Sequence, residues 1–126
     1  MTPTRATMPR SRRLAHDREY QAVFGAKVRA SRGCLTVFAK PNGKAFHRLG
    51  LSIGKRVGGA VERNRVKRMI REAFRLGQHD LAHATGETPG MDMVVSAHAH
   101  SPLALPEYQA LLKACATQAA RAWTKL

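Results

Sequence analysis

One segment near the middle of the chain constrains the fold more than any other. Between residues 61 and 76, apolar side chains recur at the three- and four-residue spacing of a single helix face: Val66, Met69, Ile70, Ala73 and Phe74. Six cations occupy about 200° of the remaining circumference: Arg63, Arg65, Lys67, Arg68, Arg71 and Arg75. The pattern predicts a helix that packs on one narrow stripe, presents a basic face, and has Gly77 at its C-terminal cap.

The acidic side chains are too few to balance this basic face. Only Glu62 and Glu72 lie in the segment, and the whole chain has 22 Lys and Arg against 8 Asp and Glu, a net charge of +14. Nineteen of these cations, but only four of the acids, precede Leu76. Such an uneven distribution favours a binding surface for a polyanion, and nucleic acid is the commonest. An anionic membrane surface is the alternative, although no predicted helix pairs its basic face with large exposed apolar side chains.

The flanking segments predict one small α/β domain. Residues 1–13 contain four Arg and no apolar periodicity, so we expect a flexible basic arm there, and a single nucleic-acid-binding domain over residues 14–126. Helices are predicted from Asp17 to Gly25, with Asp17 as N-cap, and from Leu105 onward. Strands are predicted over residues 34–40, 48–54 and 91–97, with the first two paired because their connection is short. This order predicts an α/β (α+β) two-layer sandwich, with a small mixed sheet and three main helices.

Cysteine and histidine patterns give little support for a metal site. Cys34 and Cys115 lie far apart without a Cys-x-x-Cys pair, and we interpret them as small core residues. His98 and His100 are the only candidate ligand pair, and with Asp92 they would define the alternative of an autonomous metal-dependent nuclease. The chain lacks an apolar signal segment and any run near the roughly 18 residues that cross a bilayer, so we expect a cytoplasmic protein.

Several segments together resemble the protein subunit of bacterial ribonuclease P. Residues 49–61 read Leu-Gly-Leu-Ser-Ile-Gly-Lys-Arg-Val-Gly-Gly-Ala-Val, and the box Arg63-Asn64-Arg65 follows. Similarity extends to residues 19–24, to residues 91–97 and to the helix that contains Tyr108, so it covers nearly everything from Leu14 onward.

The resemblance implies a fold like that of the fifth small-subunit ribosomal protein, including a left-handed β-α-β crossover. It also implies a protein without catalytic residues or a metal site of its own. In this family a catalytic RNA, with Mg²⁺ bound mainly by that RNA, removes the 5′ leader of precursor tRNA. The expected partners are ribonuclease P RNA in a 1:1 complex and precursor tRNA, with no membrane and no further protein.

Matching positions also imply two sets of RNA contacts. The catalytic RNA would contact Lys55, Arg56, Arg65 and Arg68. The leader would lie against Tyr20, Phe24, Val37, Arg63, Asn64, Lys67 and Arg71. Three of these positions call for comment: aromatic residues spaced like Tyr20 and Phe24 often belong to a core, and Val37 stands where relatives often have a larger aromatic side chain.

Composition alone leaves a simpler binding function open. A ribosome-associated or nucleoid protein that only neutralises phosphates would have the same charge excess. Stimulation of ribonuclease P RNA separates the two hypotheses, because only a ribonuclease P subunit would increase cleavage of precursor tRNA.

Overall fold

The computed structural model describes residues 10–81 and 90–124, in which helices pack on both faces of a single four-stranded sheet. Seven main elements follow one another along the chain: α1 (Asp17–Gly25), β1 (Arg29–Arg32), β2 (Leu35–Pro41), β3 (Arg48–Ser52), α2 (Ala60–Gly77), β4 (Met91–Ala97) and α3 (Leu105–Thr124). The predicted mixed α/β architecture with three main helices is confirmed.

The four strands form one sheet in the order β1-β2-β4-β3. β1 pairs antiparallel with β2, β2 pairs antiparallel with β4, and β3 pairs parallel with β4. Helix α2 connects β3 to β4, as a parallel pair requires. The left-handed sense of this crossover stays a prediction from the family resemblance.

Two predictions about the sheet are wrong. β3 does not pair with β2, because β4 lies between them. Residues 91–95 are all buried, which suits a central strand covered on both faces. β1 was missed because it is a four-residue edge strand in which only Ala30 is buried, so it lacks a hydrophobic pattern.

The main core lies between the sheet and helices α2 and α3. Its sheet side includes Leu35, Val37 and Met93, and its helical side includes Phe74 and Leu112. The apolar stripe predicted for α2 faces this core, and α3 contributes an apolar stripe of its own. A second, smaller cluster on the opposite face joins Leu14 and Val23 to Val94.

Helix ends differ in detail from the predicted caps. α1 begins at Asp17, but the preceding residue His16 is its N-cap, and the carboxylate of Glu19 accepts the backbone N–H of His16. α1 ends at Gly25, as predicted. Gly77 is the last residue of α2 and has a φ of −109°, so the left-handed cap predicted there is absent.

Residues 10–13 of the predicted arm lie against the domain. Residues Arg10–Arg12 form a 3-10 turn, and Arg13 bridges to Leu49 on β3. The guanidinium of Arg12 lies 4.5 Å from the centre of the Phe46 ring and donates to Oε1 of Gln78 at 2.5 Å. Residues 10–13 therefore pack on the domain, and the rest of the predicted arm lies outside the described residues.

Three further features complete the description. A 3-10 turn, Gln78–Asp80, follows α2. Cys115 is buried and Cys34 half-buried against the core, both as free thiols whose pKa is raised by burial. No helix in the described part of the chain has both the length and the apolar character that spanning a membrane requires.

Candidate nucleic-acid interface

The exposed face of α2 has a large excess of positive charge. Glu62 accepts the backbone N–H of Gly59 at 3.0 Å and so caps its own helix, while Glu72 forms an ion pair with Arg75. The other five cations have no ion pair with any described residue: Arg63, Arg65, Lys67, Arg68 and Arg71. Their mutual repulsion is relieved when a polyanion binds.

The cations of α2 lie on two sides of the helix that have different neighbours. Lys67 and Arg71 line a cavity of about 260 Å³ with Arg13 and Tyr20, which we call the corner pocket. Arg65 lies on the other side, where it lines a cavity of about 90 Å³ with residues that include His100 and Tyr108. Arg68 and Asn64 are exposed. The two predicted faces of α2 therefore have different neighbours in the structure.

Tyr20 joins α1 to β3 at the edge of the corner pocket. Its hydroxyl oxygen accepts the backbone N–H of Leu51 at 3.1 Å, and its ring lies against Gly50. The ring is half-buried, so it combines a structural contact with an exposed edge.

Two aromatic rings meet where α1 crosses β2. Phe24 is 37% exposed, and its ring packs edge to face on Phe38 with a centroid distance of 4.8 Å. Both predicted aromatic residues of α1, Tyr20 and Phe24, therefore reach the surface beside the open part of the sheet.

Beyond α1, the sheet exposes a groove lined with hydroxyl groups. One residue from each strand stands in a single row across it: Ser31, Thr36, Ser96 and Ser52. The hydroxyls of Ser31 and Thr36 lie 2.8 Å apart. Phe38, Arg29, Arg56 and His98 line the same cavity of about 290 Å³. We call this surface the sheet groove.

The sheet groove corrects one predicted site residue. Val37 is completely buried in the main core, on the opposite face of the sheet from α1, so its side chain cannot line the groove. Phe38, the next residue along β2, points to the α1 face instead. Successive side chains of a strand point to opposite faces of the sheet. Leu35, Val37 and Ala39 therefore face the main core together, and Phe38 faces the other way.

Arg56, in the turn between β3 and α2, lies beside a different surface from the predicted one. Lys55 and Arg56 lie exposed in a 3-10 turn, Lys55–Val57. Arg56 borders the sheet groove, whereas the resemblance groups it with Arg65. Sequence reasoning missed Arg13 at the corner pocket and both Arg29 and Phe38 at the sheet groove, since each lies outside the basic helix.

A polar network fixes the start of α1. Arg48 donates to Asp92 and to Glu19, and the side chain of Glu19 also accepts the backbone N–H groups of Ala15 and His16. These two backbone hydrogen bonds, with a further contribution from Arg48, lower the pKa of Glu19 from 4.5 to about 2. Glu19 is therefore a carboxylate at neutral pH.

The arrangement does not support the metal-dependent nuclease. Asp92 is the second residue of β4 and forms a two-pronged ion pair with Arg48, whereas His98 and His100 lie beyond the other end of that strand. His100 bonds instead to the hydroxyl of Tyr108 at 2.8 Å and to the carbonyl of His98 at 2.7 Å. Within residues 10–81 and 90–124, no three His, Cys, Asp or Glu side chains form a cluster that could hold Mg²⁺.

Comparisons with known proteins agree with the geometry. The family model described as Ribonuclease P matches residues 8–123. The ribonuclease P protein component of Methylococcus capsulatus is 50% identical over 74 residues, which cover 58% of this chain and 58% of that protein. Little more than half of that relative's length is therefore matched.

Two solved structures share the fold. A mutant ribonuclease P protein of Staphylococcus aureus superimposes with a TM-score of 0.64 at 26% identity, covering 82% of this chain and 84% of the other. The ribonuclease P protein of Thermotoga maritima gives a TM-score of 0.61 at 25% identity, covering 79% and 90%. With the family model matched along residues 8–123, the conclusion is that this chain belongs to the ribonuclease P protein family.

Proposed function

We propose that this protein binds the ribonuclease P RNA and the 5′ leader of precursor tRNA, as the protein subunit of a 1:1 cytoplasmic complex. It assists removal of the leader, while the hydrolysis is carried out by the RNA with its bound Mg²⁺. The chain itself supplies binding and orientation. The observation that carries this proposal is the set of five unpaired cations on two sides of α2.

The two sides of α2 suit two different RNA surfaces. Arg65 and the exposed Arg68 would dock on the folded catalytic RNA, where guanidinium groups make forked contacts to phosphates. Lys67 and Arg71 face Tyr20 in the corner pocket, so they would contact a strand that runs past α1. One helix would thus hold the leader beside the catalytic RNA.

The sheet groove suits a single-stranded leader of variable sequence. The partly exposed rings of Phe24 and Phe38 offer stacking surfaces, and stacking of one base on an aromatic ring contributes roughly 1–3 kcal/mol whatever the base. The hydroxyl row can donate to and accept from ribose 2′-hydroxyls and phosphates. Arg29 and Arg56 add positive charge at the borders. Such contacts follow the backbone and do not depend on base sequence.

The carboxylates near the groove support a binding role for this chain. Glu19 and Asp92 both accept hydrogen bonds from Arg48, so they hold a cation between them. Neither is presented to the groove as a free acid or base. The two ion pairs hold α1 in position. In the proposed complex, Mg²⁺ is bound by the RNA partner.

The test adds the purified protein to a bacterial ribonuclease P RNA at moderate salt and low magnesium. Cleavage of precursor tRNA and binding of the same tRNA without its leader are measured side by side. We expect the protein to increase cleavage and to strengthen binding only of the tRNA that carries the leader. A protein that merely neutralises phosphates would strengthen both bindings equally, and absence of stimulation would refute the proposal.

A further inference from the structure

Arg48 is a basic residue whose charge is directed into the protein. Its Nε donates to Oδ1 of Asp92 at 2.7 Å, and its two terminal nitrogens donate to Oδ2 of Asp92 at 2.6 Å and to Oε2 of Glu19 at 2.9 Å. The side chain is only 17% exposed. All three nitrogens therefore hold carboxylates, which distinguishes Arg48 from the unpaired cations of α2.

The two carboxylates belong to different parts of the fold. Asp92 lies on the central strand β4, is buried, and also accepts a hydrogen bond from the side-chain amide of Asn42 at 2.9 Å. Glu19 lies in the first turn of α1, and its Oε1 accepts the backbone N–H groups of Ala15 and His16 at 2.8 and 3.1 Å. Arg48 thus connects the rigid sheet to the beginning of α1.

Helix α1 needs such a connection because it is short. It has nine residues, whereas an isolated helix shorter than roughly 12–15 residues is at best marginally stable in water. Val23 is its one fully buried residue. Its apolar contacts come from Tyr20 and Val23 at the small cluster and from Phe24, which meets Phe38. The ion pair of Glu19 with Arg48 is its charged anchor to the sheet.

The anchor lies next to the residues that border the RNA surfaces. Tyr20 follows Glu19 directly, and Phe24 lies on the same helix face about one turn later. A small rotation of α1 would move both rings, and it would also break the bond from the N–H of Leu51 to the Tyr20 hydroxyl.

We propose that Arg48 is a positioning residue for the leader. Through Glu19 it fixes α1 on the sheet, and so sets Tyr20 at the corner pocket and Phe24 at the sheet groove. This inference rests on the proposed function, since it assigns a role in leader binding to a residue that does not itself touch RNA.

Two conservative variants test the anchor without leaving a cavity beside a buried charged group. Glu19→Gln keeps an oxygen that accepts the N–H groups of Ala15 and His16, but it removes the charge that Arg48 holds. Arg48→Lys keeps the positive charge but loses the planar set of nitrogens that binds Asp92 and Glu19 at the same time. The matched control is Glu107→Gln, because Glu107 caps α3 in the same way, accepting the N–H of Ala104 at 2.9 Å.

The readout is leader discrimination, defined as the ratio of the holoenzyme's dissociation constants for tRNA without its leader and for precursor tRNA. We expect both anchor variants to lower this ratio about 3- to 10-fold, the scale of the net contribution of one ordinary hydrogen bond. Assembly with the catalytic RNA should stay within about twofold of the wild type. Since the two residues act as a unit, the double variant should lose little more than either single variant.

The expected loss of leader discrimination is opposite to what the change in charge alone would cause. Glu19→Gln removes a negative charge from an RNA-binding protein, which by itself would strengthen RNA binding. Glu107→Gln makes the same charge change and should leave discrimination unchanged. If the anchor variants keep the wild-type discrimination, or lose affinity equally for both tRNAs, the positioning role is refuted. If the wild type itself shows no discrimination, the proposed function fails and this inference with it.

Discussion

The ring of Tyr20 fills the space that a side chain at Gly50 would occupy. A Cβ built on Gly50 would stand 2.8 Å from Cζ of Tyr20, closer than such atoms approach in proteins. The hydroxyl of that ring accepts the N–H of the next residue, Leu51, at 3.1 Å. Glycine at position 50 therefore allows the Tyr20 ring to lie directly on β3, at the corner pocket.

Replacing Gly50 with alanine should displace Tyr20. The added methyl group would push the ring away from β3 and break its hydrogen bond to Leu51, at a cost of about 1–3 kcal/mol in the free energy of unfolding. We expect Gly50→Ala to lower the affinity of the holoenzyme for precursor tRNA more than its affinity for tRNA without a leader. Urea unfolding and the two binding assays measure these effects, and an unchanged protein in both would contradict this account of Tyr20.

The end of α2 should tolerate the same substitution. Gly77 has no atom within 4 Å of an added Cβ, and its φ of −109° is open to any residue. Gly77→Ala should stabilise the protein by about 0.4–1 kcal/mol, because alanine loses less backbone freedom on folding. A clear loss of stability in urea unfolding would indicate that Gly77 does adopt the left-handed cap that the sequence suggests.

The fold could be predicted from local patterns where those patterns are strong. The bounds of Met91–Ala97 and the start of Leu105–Thr124 were predicted to the residue, since an apolar run and an apolar stripe are unambiguous. Strand order was not predictable, because a short connection usually joins neighbouring strands, whereas β4 lies between β2 and β3. The pairing of distant segments depends on total burial, which no local pattern contains.

The candidate site was predictable on α2 and less so on the sheet. Helical periodicity separates the side of Lys67 from the side of Arg65, and the structure gives each its own neighbours. Val37 was placed in the groove by resemblance, although alternation along β2 assigns it to the core and Phe38 to the surface. Arg13 and Arg29 were missed because an ordered N-terminal turn and a short edge strand leave no periodic signal.

Acid should remove the stabilising effect of Glu19. The pKa of Glu19 is about 2 in the folded protein against an ordinary value of 4.5, so the folded state favours the carboxylate. A lowered pKa contributes stability that is fully present above pH 4.5 and is lost as the pH falls toward 2.

The stability difference between wild type and Glu19→Gln should therefore depend on pH. We expect the wild type to be more stable by about 1–2 kcal/mol at neutral pH, a value reduced for solvent screening, and the difference to vanish near pH 2. Urea unfolding can be followed by fluorescence of Trp123, whose indole N–H donates to the carbonyl of Ala39 at 2.8 Å. A difference that stays constant across this pH range would show that the carboxylate is not stabilised by folding.

Charge removal on the two sides of α2 should weaken two different bindings. Lys67→Gln removes a cation from the corner pocket, so it should weaken binding of precursor tRNA and lower the log–log salt dependence by about 0.7 for one contact to a single strand. Arg65→Gln removes a cation from the side near His100, so it should weaken assembly with the catalytic RNA instead. Lys113→Gln, an exposed cation on α3, makes the same charge change and should affect neither measurement by more than about twofold. Equal losses of assembly and precursor binding in the Lys67 and Arg65 variants would show that the helix does not divide its contacts between two RNAs.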